Sequence, residues 1–239
     1  MDGPRILFTV PLFGGIPVTE TVRNTWIVMA VIIGLCLWLT HDMKVIPAGR
    51  RQLAAEKIVK AAEGLVTDTM GGKYRAMTPY IAALFSISFF GSISSLTGLR
   101  PLTADLSTTL SWSLLTFVMV QLNNIRYHGV GGWLKSFTRP LAFMTPLNIV
   151  SELANPISMS FRHFGNIAAG MVITGLLYSA LGALSRALLG WLPGGLGAVP
   201  ILQVGIPAVL SIYFDLFTGF LQAYIICMLT MVFVAGAGD

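Results

Sequence analysis

An all-α, polytopic membrane protein is the fold that this sequence predicts, and three observations carry that prediction. Hydrophobic residues make up 55% of the 239 positions and charged residues only 10%, against roughly a quarter charged in ordinary globular domains. Such a chain has too little polar surface to cover a core in water, so the bilayer is its natural solvent. The apolar residues are grouped into runs near the ~20 residues that a spanning helix needs. Finally, the basic residues concentrate in the connectors between those runs, as they do on the cytoplasmic side of membrane proteins.

The elements follow in order. Residues 1–24 read as an extracytoplasmic segment. A cleavable signal peptide is not expected there, since Asp2, Pro4 and Arg5 interrupt any apolar stretch. The first span covers about 26–39, within a membrane segment of 25–41, and His41, Asp42 and Lys44 mark its exit to water. The connector 42–78 is charged and amphipathic, and predicts a helix lying along the membrane surface. A membrane domain fills 79–239. Its second span is about 79–96, followed by a polar turn near 100–105, a third span at about 108–122 and a polar, glycine-containing loop at 123–139. The region 141–189 is too long for one perpendicular span and contains Pro146 and Pro156. A glycine-rich connector at 193–200 then leads to a last apolar stretch, about 204–235. Both long stretches exceed the bilayer thickness, which predicts a tilted C-terminal helix pair and about five spans in all.

Orientation follows from the basic residues. Seven of the fifteen lie between Lys44 and Arg75, and Arg126, Lys135 and Arg139 lie in the third loop, against Arg100 alone between them. The rule that basic loops stay inside places the N-terminus outside and the C-terminus in the cytoplasm. The same rule explains the net positive charge without nucleic acid as a partner. Cys36 and Cys227 lie far apart in apolar runs, with no metal or disulfide spacing. No internal repeat is present, unlike in many secondary transporters.

Within the last hundred residues, Glu152, Arg162, His163 and Asp215 fall in otherwise apolar helix. A charge at the bilayer centre costs from about 3 to more than 10 kcal/mol, so such groups face protein or water and are functional candidates. Helical spacing puts Ser158, Arg162 and Asn166 on one face, each four residues from the next. Asp215 and Gln222, seven apart, share a face of the last helix with Gly219 between them, where a small residue permits close helix approach. Arginine keeps its proton under essentially all conditions and cannot relay one. It can hold a fixed positive charge that keeps a nearby carboxylate ionised, whereas Asp215 can exchange a proton with water.

The run Ser158-Met159-Ser160-Phe161-Arg162-His163-Phe164-Gly165-Asn166, preceded by Glu152-Leu153-Ala154-Asn155-Pro156, resembles the arginine signature of subunit a of F-type ATP synthases. Phe220-Leu221-Gln222-Ala223-Tyr224-Ile225 resembles that family's C-terminal motif, and Pro101-Leu102-Thr103-Ala104-Asp105-Leu106 its segment before a helix. The likeness covers most of the chain from about residue 99 onward.

This resemblance implies a non-catalytic, proton-translocating stator subunit of a rotary ATP synthase in the cell (inner) membrane, partnered by a c-ring, peripheral-stalk b subunits and lipid. It implies neither a cofactor nor a metal. Arg162 would face the ring, Asn166 and Gln222 would lie near it, Glu152 would line the cytoplasmic path and Asp105 would sit near the outer mouth. Ser158 extends the same polar stripe. The sequence departs from the pattern at His163, where the family has Leu, and at Met171, often acidic or His there. Asp215 is expected to supply the acid that Met171 lacks. His163 is expected to face the ring or lipid rather than relay protons. A self-contained transporter binding an anion at Arg162, and a purely structural subunit whose polar stripes glue helices together, are the competing readings.

Overall fold

A computed structural model describes residues 5–11, 15–45, 49–138, 141–189 and 201–238, with side chains left out at 10, 16, 142, 189, 201–202 and 204–215. The order of elements is a two-stranded antiparallel hairpin, β1 (Ile6–Val10) and β2 (Ile16–Thr19), then six helices: α1 (Glu20–Thr40), α2 (Arg50–Met70), α3 (Thr78–Ile93), α4 (Leu106–Phe137), α5 (Thr145–Leu189) and α6 (Ile201–Gly236). Among the described residues, four stretches are long and apolar enough to cross a membrane: Glu20–Thr40, Gly72–Thr97, Thr145–Leu188 and Leu216–Gly236. The expected third span lies within α4. Its first half is diluted by Ser107, Thr108, Thr109, Ser111, Ser113 and Thr116.

Those hydroxyls explain the packing. Lipid tails are as apolar as leucine side chains, so helices in a bilayer associate through close packing and buried polar contacts, not through apolar burial. Accordingly Asn24, Ser88, Thr109, Ser113, Thr116, Ser160 and Thr230 are buried, while Trp26, Val31, Ile33, Leu37, Val172 and Leu176 are exposed. Thr109 and Ser160 share a 3.1 Å hydrogen bond that joins α4 to α5. Thr116 and Thr230 share another at 3.1 Å between α4 and α6. An apolar core of Val66, Met70, Ile81, Leu84, Met159, Ile226 and Met231 gathers α2, α3, α5 and α6. The helix α6 packs on both α3 and α5, and α4 packs mainly on α5.

Two connections differ from expectation. The loop expected at 123–139 is mostly helix, broken at Gly129, whose φ of +69° is a conformation that favours glycine. The break turns the chain back, so the Trp133 indole donates to the Gln121 side-chain oxygen at 2.7 Å. In an unbroken helix those residues would stand about 18 Å apart. At the other end the first helix begins earlier than expected, because its first turns are engaged. Thr21 donates to the Asp105 carboxylate, and Asn24 donates to the Arg100 carbonyl at 3.0 Å. The helix expected in the connector is α2. The connector expected at 193–200 lies outside the described residues.

The helix α5 has 45 residues, about 68 Å at the standard rise, with Pro156 inside it. That length exceeds the ~30 Å hydrocarbon core by far, as expected of the long C-terminal helices. Close approach of α3 and α6 is built in at Gly219, where an added Cβ would stand 2.8 Å from the Ser92 Cβ.

Candidate functional site

The site is organised along α5. Buried positions Pro156, Met159, Ser160 and His163 turn towards the bundle, whereas Ser158, Arg162 and Asn166 lie on its exposed flank. No acidic side chain among the described residues pairs with Arg162. A guanidinium left without an internal counter-charge on a membrane helix is costly unless water or a partner's charge meets it.

Asn166 and Gln222 come from separate motifs, and the structure brings them together. The Asn166 amide donates to the Gln222 side-chain oxygen at 2.8 Å. Gln222 is buried, so this bond satisfies a polar group that would otherwise be stranded. It ties α6 to α5 one turn beyond Arg162.

Among the described residues, two of the cavities along α5 lie towards opposite ends of the bundle. One, of about 300 Å³, is bounded by Ser113, Thr116 and Asn124 of α4, by Glu152, Asn155, Pro156 and Met159 of α5, and by the C-terminal end of α6. Glu152 accepts a 2.7 Å hydrogen bond from Gln121, and Gln121 in turn accepts from Trp133, so the carboxylate is held in place at the cavity wall. The other cavity, of about 840 Å³, is bounded by Arg5, Glu20, Ser92, Ser95, the turn at 98–101, the Asn166–Thr174 part of α5 and Thr218. Met171, the residue that departs from the family pattern, is on this wall.

Arg162 occupies the interval between them. The last α5 residue on the first cavity is Met159 and the first on the second is Asn166. Seven residues of helix separate these, about 10 Å. Each cavity therefore ends within about one turn of the guanidinium-bearing residue, on opposite sides of it.

The remaining candidates fall elsewhere. His163 does not face a ring or lipid, which corrects the expectation. It is 1% exposed, its ring lies 5.7 Å edge-to-face from Trp112, and its Nε2 is 3.4 Å from the Ser88 hydroxyl. The reason is geometric: His163 follows the buried Met159 and Ser160 by four and three residues, which puts it on their inward face. Asp105 is buried and held by Thr21 and by Arg100 at 3.3 Å. Ser158 is exposed one turn before Arg162, and none of these three lines either cavity. Asp215 is in α6, one turn before Thr218, and its side chain lies outside the described residues. The contributions of Arg5 and Glu20 to the larger cavity had no signal in the sequence, since they depend on how the hairpin folds back.

Comparison with known proteins agrees with this architecture. The family model described as ATP synthase A chain matches residues 22–235. The chain is 35% identical to the ATP synthase subunit a, sodium ion specific, of Propionigenium modestum, over 100% of this chain and 86% of that protein. It is 30% identical to the ATP synthase subunit a of Moorella thermoacetica, over 93% of this chain and 92% of that one. A similar match, 30% over 94% and 91%, is found to ATP synthase subunit a 2 of a Bradyrhizobium species.

Proposed function

Since this chain belongs to the ATP synthase A chain family, a membrane-sector component, we propose that it passes cations to and from a ring of c subunits through two half-channels separated by Arg162. The interval between the two cavities supports this reading more than any other observation. An aqueous path along α5 would be continuous but for the turn that carries a permanently protonated guanidinium.

In the proposed cycle a proton enters from outside through the larger cavity, past Met171 and Asp215. It neutralises a ring carboxylate, which can then turn into lipid without the cost of carrying a bare charge. After nearly a full turn the site reaches the smaller cavity and releases its proton past Glu152 to the cytoplasm. Arg162 pairs with the ionised ring carboxylate as it passes and repels a free cation, so the two paths exchange ions only by way of the ring. The Asn166–Gln222 bond fixes the helix pair at the outer edge of that contact. The membrane potential contributes about 2.3 kcal/mol per charge per 100 mV. No bond is made or broken in this chain, whose N-terminus lies outside, and peripheral-stalk b subunits hold it against rotation.

Asp215 has a defined place in this account. Asp215→Asn is expected to lower ion-driven ATP synthesis at least tenfold, by removing the acid that Met171 does not supply, with assembly of the complex unchanged on a native gel. A normal rate would remove Asp215 from the path. The coupled ion has a second reading, because the relative that is 35% identical is named sodium ion specific. Reconstitution decides both points. The complete complex with its c-ring should pump on ATP addition, in sodium-free medium if protons are coupled and only with sodium if sodium is. This chain reconstituted alone should move no ion. Transport by the isolated chain would favour a self-contained transporter, and no transport even with the ring would favour a structural subunit.

A further inference from the structure

We propose that Glu20 is the cation-collecting carboxylate at the mouth of the larger cavity, a role that rests on the ion-path reading above. Among the described residues, Glu20 is the acidic side chain on that cavity's wall, and Arg5 and Arg100 are the basic ones. Arg100 is engaged with Asp105 at 3.3 Å. Glu20 opens α1, and its backbone N–H donates to the Arg5 carbonyl at 2.9 Å. The hairpin and the start of the helix are thereby fixed to each other, which sets the Glu20 and Arg5 side chains on one rim.

The carboxylate stays available to a cation. Its partner Arg23 stands 3.4 Å away, with the two side chains 42% and 30% exposed, and ion pairs of this i,i+3 kind in contact with water are weak. Charge at a cavity mouth acts on local ion concentration and on rates more than on final affinity. With Glu20 present the rim sets one carboxylate against Arg5, Arg100 being engaged with Asp105. Without it the rim is wholly cationic and repels the ion that must enter. From the rim the wall continues through Asn166, Gly170 and Met171 to Thr218, so an ion collected there is delivered to the Asn166–Gln222 pair.

The test uses the complete synthase in proteoliposomes, with sodium and protons titrated separately on the side facing the larger cavity. The ion that drives wild-type synthesis is the one read. At ~10 mM ionic strength, where charges act over some 30 Å, E20Q should raise the half-saturating ion concentration about two- to threefold. At ~1 M salt, where that length falls to about 3 Å, the difference should vanish. R5Q should shift half-saturation the other way, and Glu20→Asp should retain wild-type behaviour. A folding defect would move E20Q and R5Q in the same direction, so opposite shifts identify charge as the cause. Unchanged half-saturation for E20Q at low ionic strength, or shifts of the same sign, would overturn the proposal. Arg162→Ala in the same membranes keeps the two readings apart. If it is inactive while E20Q matches wild type, the collecting role fails and the half-channels stand; if it remains active, the half-channel reading itself fails.

Discussion

Arg162→Ala should abolish ion-driven ATP synthesis, by more than ~100-fold, while the complex still assembles. The side chain is on the exposed flank of α5, and nothing among the described residues pairs with it, so its removal breaks no ion pair made by those residues. What is lost is a fixed positive charge between two cavities whose α5 walls end at Met159 and Asn166. Without that charge a ring carboxylate has no counter-ion at the crossing, and a free cation meets no electrostatic barrier there. The same variant should therefore show raised passive ion leakage. Arg162→Lys should restore the barrier in part only, because an ammonium is a point charge that lacks the planar fork with which arginine meets a carboxylate. Synthesis measured in vesicles, beside leakage with the driving force applied alone, reads both effects.

Gly219→Ala should destabilise the helix pair on which the site is built. Its Cβ would come within 2.8 Å of the Ser92 Cβ, which is backbone-anchored and cannot swing away. The helices α3 and α6 must then separate, at a cost typical of overpacking, about 1–3 kcal/mol. The detergent-solubilised complex should lose several degrees of thermal stability, and Gly219→Val should not accumulate in the membrane. Compensation identifies the cause. Ser92 spends its hydroxyl on its own helix, donating to the Ser88 carbonyl at 2.9 Å, so Ser92→Gly removes the obstructing carbon with no interhelical bond lost. The Ser92→Gly, Gly219→Ala double variant should recover most of the loss. If it is as unstable as Gly219→Ala, close packing at this point is not the reason for the glycine.

Much of this was legible from residue order alone, because the bilayer restricts the possible structures to helices with their backbone groups satisfied internally. The apolar runs located α1, α3, α5 and α6, and the amphipathic connector gave α2. The helix α4 was harder to delimit, since its inward hydroxyls lower the apolar signal and its polar second half resembles a loop until the Gly129 break reveals two helical pieces. Helical spacing placed Ser158, Arg162 and Asn166 on one flank, and motif resemblance put both Asn166 and Gln222 near Arg162. Whether Asn166 and Gln222 touch depends on the register of α5 against α6, which spacing within one helix cannot supply.

His163 shows the opposite case. A histidine beside a functional arginine in an apolar run has two rotational settings with similar sequence patterns. The choice was made by Trp112 and Ser88, 51 and 75 residues away in the chain. The hairpin was illegible for a related reason: two strands of five and four residues in a short N-terminal segment carry little periodicity, and their importance comes from where Arg5 and Glu20 end up. Tertiary contacts of this kind decide which side chains line a cavity, and the pattern within one helix or strand does not.

Side-specific access along α5 tests the arrangement most directly. In a chain with Cys36 and Cys227 replaced, single cysteines at Asn155, Met159, Gly170 and Thr174 can be exposed to a charged, membrane-impermeant thiol reagent from each side of oriented vesicles. Positions 155 and 159 should react from the cytoplasmic side alone, and 170 and 174 from the outer side alone, with the change falling across Arg162. Reaction of all four from one side would mean a single continuous channel, and would contradict the separation on which the mechanism depends.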